Sequence, residues 1–214
     1  PGGSPVQSAY INDEIRRLKA KYKEDNDKEM PVYAVAVDLC ASGGYYVAVA
    51  ADEIYADKGS LVGSIGVRLD GFGFVDAMQE LGVERRLLTA GDNKGILDPF
   101  SPLPEGQREF IQAVLDDLHE QFIARVKEGR GDRLKGGDEL FSGLFWSGQQ
   151  ALELGLVDGL GSSSYVAREL IGAETIVDYT KKRDLFEGLA ERLGTRLAAG
   201  LSAGLAELWG GTLR

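Results

Sequence analysis

Apolar residues recur at Ile11, Ile15, Leu18 and Tyr22 with charges between them, which predicts an amphipathic helix after the opening turn Pro1-Gly2-Gly3-Ser4-Pro5. The charge-rich stretch 21–30 reads as a loop closed by Pro31. Residues 32–37 are a short apolar run between Pro31 and Asp38, the pattern of a strand buried in a parallel sheet. Cys40-Ala41-Ser42-Gly43-Gly44 then predicts a sharp turn, and the small apolar residues 45–51 a buried helix. The middle of the chain predicts strands over 53–56 and 64–67 around the glycine-punctuated 59–63. A helix over 74–81, a strand over 83–89 and a loop over 90–95 follow. Pro104 opens a long helix to about Glu128 that lines Ile111, Leu115, Leu118 and Phe122 on one face. Ser147-Gly148-Gln149-Gln150 predicts a capping box for a helix ending near Gly155. Strands at 157–158 and 175–179 flank a helix capped by Ser162. Short strands alternating with helices give an α/β class with a mainly parallel sheet.

The tail differs from the rest. Leu185, Leu189, Leu193, Leu197, Leu201, Leu205 and Leu208 form a stripe at three- and four-residue spacing, which predicts one C-terminal amphipathic helix. The organisation expected is therefore a domain over 1–180 and a helical tail over 181–214, whose apolar face must pack on a neighbouring subunit or a membrane. No stretch approaches the roughly 18 consecutive apolar residues of a membrane-spanning helix. The chain opens inside a turn, so further strands and any anchor are expected to precede Pro1.

Composition narrows the chemistry. With 43% hydrophobic residues the chain builds a core, and 24 Lys and Arg against 34 Asp and Glu leave a net charge of −10. That balance argues against nucleic acid as a partner, since a phosphate-backbone binder needs a basic face. One cysteine, Cys40, excludes an internal disulfide framework, and one histidine, His119, excludes a multi-histidine metal site.

Strand, glycine turn and helix around Ser42 can present its hydroxyl above a sheet edge, with free N–H groups at the helix start where an oxyanion would develop. The same serine could simply cap the helix. A nucleophilic serine needs a base. His119 lies on the edge of the apolar stripe of the long helix, where a half-buried flank residue is the plainer reading. The other route is a lysine kept neutral by desolvation. Lys94 stands apart from the charged stretches, in a glycine-flanked loop before Ile96, Leu97, Pro99 and Phe100, with Asp92 and Asp98 nearby in sequence.

Four segments together resemble one family: Pro1-Gly-Gly-Ser4; Cys40-Ala-Ser-Gly-Gly-Tyr-Tyr-Val-Ala-Val-Ala-Ala-Asp52; Val62-Gly-Ser-Ile-Gly-Val67; and Lys94 with Asp98-Pro-Phe100. They are similar, in order, to the signal peptide peptidase A family of Ser-Lys proteases. The resemblance implies the Clp-protease/crotonase-like fold of repeated ββα units. It further implies Ser42 as nucleophile, Lys94 as general base, Ser64 as the residue orienting the lysine amine, and the N–H groups of Gly3 and Gly43 as oxyanion hole. No metal or organic cofactor is implied. The implied substrates are cleaved signal peptides and other hydrophobic peptide segments, at a membrane surface outside the cytoplasm. The implied assembly is a ring- or dome-like homo-oligomer with active sites at subunit boundaries. Two alternatives of the same fold are a crotonase-type acyl-CoA enzyme, distinguished by CoA binding, and a catalytically silent scaffold, distinguished by the absence of serine labelling.

Overall fold

The computed structural model describes residues 2–180, and its first compact unit ends at Glu174. Helix α1 (Pro5–Asn26) is followed by strands β1 (Tyr33–Ala36) and β2 (Leu39–Ala41) and helix α2 (Gly43–Ala48). The same unit then repeats as β3 (Glu53–Ala56), β4 (Leu61–Gly63) and α3 (Val75–Glu80). The long helix α4 (Glu105–Arg130), β5 (Phe145–Ser147), α5 (Gly148–Glu153), β6 (Gly159–Leu160) and α6 (Ser163–Tyr165) complete the unit. β1, β3 and β6 form one parallel sheet, and β2, β4 and β5 a second in which only β5 runs antiparallel. Each strand of the second ββ pair thus lies beside its counterpart in the first, as the repeated ββα unit of the Clp-protease/crotonase-like class requires. Ser60, almost fully buried, fixes the corner between the sheets by donating to the Val37 carbonyl at 2.5 Å.

Several expected elements are corrected. The strand expected over 64–67 lies instead over Leu61–Gly63, because Gly63 (φ 115°) and Ser64 (φ 51°) turn the backbone out of the sheet. Cys40 and Ala41, expected to open the turn, belong instead to β2 and pair with that strand. Residues 83–89 form no strand: they have no ladder partner, and Leu88 is 95% exposed. The strand expected at 157–158 starts two residues later, because the Leu156 and Val157 N–H groups are taken by the Ala151 carbonyl at the end of α5. The expected loop 21–30 continues α1 to Asn26, since Lys and Glu are good helix formers. Residues 175–180 contain no helix or strand, and the leucine stripe lies outside the described residues.

The face on which α1 packs also departs from its pattern. Ile11 (51% exposed), Leu18 and Tyr22 stay in solvent, while Ser8 and Asn12 are buried. Small residues let α1 approach α2 closely enough for Asn12 Nδ2 to donate to the Tyr46 carbonyl at 2.7 Å. The core proper gathers Tyr45, Ile54, Val62, Ile65, Phe122, Val126, Leu140 and Leu156.

One ion pair closes the core at its lower corner. Arg130, 1% exposed at the end of α4, donates to both carboxylate oxygens of Asp158 (2.6 and 3.0 Å) and to the Gly155 carbonyl. Asp158 Oδ2 also accepts the Ile54 N–H at 2.7 Å. Burial alone pushes the Asp158 carboxyl up, but the Arg130 hydrogen bonds, the Ile54 N–H and the charges of Arg130 and Arg133 together hold it below its ordinary value. A carboxylate depressed in the native state stabilises above its unfolded value, about 3.9, and that contribution is lost as pH falls through the native value. Urea midpoints measured from pH 7 down to pH 2 should therefore drop steeply below about pH 4. In Asp158→Asn the midpoint should be lower at pH 7 and should change less over the acid range.

Candidate active site

The parallel register of β2 and β4 pairs Leu39 with Leu61, Cys40 with Val62 and Ala41 with Gly63. Ser42 and Ser64 are the next residues on each strand, so they leave the carboxyl end of the sheet side by side. Ligands of parallel α/β sheets collect at that end. Both serines depart through left-handed backbone, Ser42 at φ 54° and Ser64 at φ 51°. For a residue with a Cβ that conformation costs about 1–3 kcal/mol and persists only where neighbours impose it. Ser42 is held by its N–H to the Gly63 carbonyl (2.8 Å) and by its carbonyl, which accepts the Tyr46 N–H (2.9 Å). Ser64 donates its N–H to the Leu144 carbonyl at 2.6 Å.

Ser42 occupies the N-cap position of α2, yet its side chain makes no capping hydrogen bond. Capping therefore does not account for a serine at this turn. The segment before α1 comes up against it. A Cβ built on Gly2 would stand 3.1 Å from Ser42 Oγ, and one on Gly43 would stand 3.2 Å from the Gly3 nitrogen and 2.5 Å from Ser8 Oγ. A side chain at position 43 would displace Ser8 and crowd the Gly3 backbone. The close approach places the Gly3 and Gly43 N–H groups next to the serine, and neither has an acceptor among the described residues. Asn12, by pinning α1 to Tyr46, fixes this approach from behind.

Ser42, Ser64, Gly3 and Gly43 line one cleft of about 910 Å³, within the range that holds small molecules and short peptide segments. Its walls carry Val6, Tyr10, Val67, Leu115 and Phe122, with Asp13, Arg68 and Asp116 also lining it. His119 lines it too, with Nε2 3.1 Å from the Ile65 carbonyl. Its sequence neighbourhood, a helix flank beside Leu115 and Phe122, gave no sign of this. The only hint was that His119 is the sole histidine.

Lys94 is not brought to this cleft. It is exposed in a turn where its N–H donates to the Gly91 carbonyl at 3.1 Å. Asp98, one of the two carboxylates near it in sequence, is engaged elsewhere. It accepts from Ser101 Oγ (2.6 Å) and Arg85 (3.3 Å), and these bonds, the Ser101 one first, hold its pKa below the ordinary carboxylate value. The segment bearing Lys94 has an apolar surface: Phe74 stacks on Phe100 with centroids 5.5 Å apart, while Phe72 (81%) and Leu81 (77%) are exposed. Cys40, close to Ser42 in sequence, is half-buried and desolvation pushes its thiol up to about 11, so it is not a thiolate at neutral pH.

The model of peptidase family S49 matches residues 24–176. A Brucella melitensis chain named Na(+)/H(+) antiporter NhaA is 46% identical over 172 residues, covering 80% of this chain and 23% of its own. Protease 4 of Haemophilus influenzae is 30% identical, over 76% of this chain and 25% of its own. The chloroplastic serine protease SPPA of Arabidopsis thaliana is 28% identical, over 77% and 23%. The chain spans about a quarter of the length of these relatives. Among the described residues no helix is long and apolar enough to cross a membrane. A solved enoyl-CoA hydratase/isomerase family member aligns over 93% of this chain and 55% of its own at 18% identity and a TM-score of 0.34. The S49 match takes in Ser42, Gly43, Ser64 and Lys94, with Gly3 before its start, and on that match the chain belongs to peptidase family S49, the signal peptide peptidase A family.

Proposed function

We propose that the chain is a serine endopeptidase with a Ser42–Lys94 dyad that cuts hydrophobic peptide segments, cleaved signal peptides among them. The observation that carries this reading is the Ser42 turn. Its hydroxyl is left uncommitted at a strained strand-to-helix corner, with the Gly3 and Gly43 N–H groups beside it. In the reaction, Ser42 Oγ attacks the peptide carbonyl while the Lys94 amine takes its proton. The oxyanion is held by Gly3 and Gly43, and the lysine then protonates the leaving amine as the C–N bond breaks. Water then attacks the acyl carbonyl as the neutral amine takes its proton, and the ammonium returns that proton to Ser42 Oγ as the ester C–O bond breaks. No metal or organic cofactor enters any step.

The dyad is proposed to form between subunits of a homo-oligomer. Burial favours the neutral amine that can take a proton near neutral pH, and a neighbouring subunit on the apolar segment around Lys94 would supply that burial. The apolar cleft walls suit hydrophobic substrate segments, and the proposed setting is a membrane surface outside the cytoplasm.

Ser64 is the orienting residue in this scheme, so Ser64→Ala leaves the nucleophile in place. Steady-state kinetics on a peptide substrate should show kcat lowered by roughly tenfold to a hundredfold with KM little changed. Full activity in Ser64→Ala would confine this serine to the turn. Hydrolysis that survives unchanged in Ser42→Ala would overturn the protease reading itself.

A further inference from the structure

We propose that His119 is a positioning residue for Ser64, acting through the Ile65 carbonyl; the inference rests on the Ser-Lys reading above. Gly63 and Ser64 are consecutive residues in left-handed backbone, at φ 115° and 51°. A serine holds such a conformation only where the peptide groups around it are tied down. Three ties are present. The Gly63 carbonyl accepts the Ser42 N–H at 2.8 Å, the Ser64 N–H is given to Leu144 at 2.6 Å, and the Ile65 carbonyl faces His119 Nε2 at 3.1 Å. Only the third is made by a side chain. The Ile65 side chain is fully buried, so the residue after Ser64 is anchored on one side by the core and on the other by the imidazole.

A carbonyl oxygen only accepts, so this contact requires the proton on Nε2. His119 Nε2 is thereby committed as a donor and does not serve as the base for Ser42. The imidazole stands in the cleft wall between α4 and the Ser64 turn, where loss of its donor would free the Ile65 peptide to rotate. Ser64 would then no longer present its hydroxyl to an incoming lysine amine.

The amide nitrogen of glutamine reaches the place of Nε2, whereas that of asparagine falls short of it. Kinetics on the full chain should show His119→Leu and His119→Asn with kcat lowered roughly tenfold and KM unchanged, and His119→Gln close to the parent. In the Ser64→Ala background, His119→Leu should bring no further loss, since the residue acts through Ser64. Equal activity of the leucine and glutamine variants, or independent multiplication of the Ser64 and His119 effects, would overturn the inference.

A second measurement does not depend on activity. As the sole histidine, His119 gives one imidazole signal set in nitrogen-15 spectra. Protonation of Nε2 with a bare Nδ1 is expected at high pH, and the Nδ1–H tautomer would overturn the contact. Failure of the protease reading looks different: the parent chain would show no Ser42-dependent hydrolysis, whatever the tautomer of His119.

Discussion

Assemblies built only from Ser42→Ala subunits, or only from Lys94→Ala subunits, are expected to lose peptide hydrolysis by roughly a thousandfold or more, because neither owns both halves of the dyad. Mixed assemblies of the two variants should recover part of the activity. Wherever an intact Ser42 cleft meets an intact Lys94 from its neighbour, a complete site forms. The expectation follows from where the residues stand. Ser42, Ser64, Gly3 and Gly43 share a cleft within one chain, while Lys94 is exposed on a separate apolar segment and does not line it. Mass spectrometry of the intact assemblies would verify mixing. No recovery in verified mixed assemblies would mean that each chain completes its own site, with the Lys94 segment folding back onto the Ser42 cleft.

The second large effect concerns stability. Arg130→Ala should lower unfolding free energy by about 3–5 kcal/mol, since it leaves the Asp158 carboxylate and the Gly155 carbonyl without their buried partner. Arg130→Met, which refills the volume, should not restore it while Asp158 stays charged. The double variant Arg130→Met/Asp158→Leu should recover more than either single change, as buried pairs replaced whole by apolar groups often do. Urea unfolding of the parent, Arg130→Met, Asp158→Leu and the double variant measures this. Additive losses in the double variant would show that the two groups do not act as a pair. The effect reaches the site indirectly, because Asp158 ties the start of β3 to the segment entering β6, and β3 is the strand beside β1.

What the sequence made legible follows element length. The long helix α4 was readable because 26 residues carry several turns of apolar spacing. The Ser42 corner was readable because an apolar run, two glycines and a small-residue helix follow each other directly. The pairing that sets Ser42 beside Ser64 was not. β2 and β4 have three residues each, too few for any period, and their register follows from the sheet rather than from either strand alone. The packing face of α1 misled for another reason: close helix contact selects small residues such as Ser8, and a hydrophobic count passes over them. Arg130 carries no signal of its own in the sequence, because its partner Asp158 is 28 residues away. His119 lies on the helix flank that its spacing predicts, but the carbonyl it meets belongs to a turn 54 residues earlier.

The central claim is that Ser42 is the nucleophile, and covalent labelling tests it most directly. The assembled chain is treated with a fluorophosphonate, digested, and mapped by mass spectrometry. A single adduct on Ser42, lost in Ser42→Ala and strongly slowed in Lys94→Ala, is the result predicted. An adduct on another serine, or no adduct on Ser42 in a preparation that hydrolyses peptide, would contradict it.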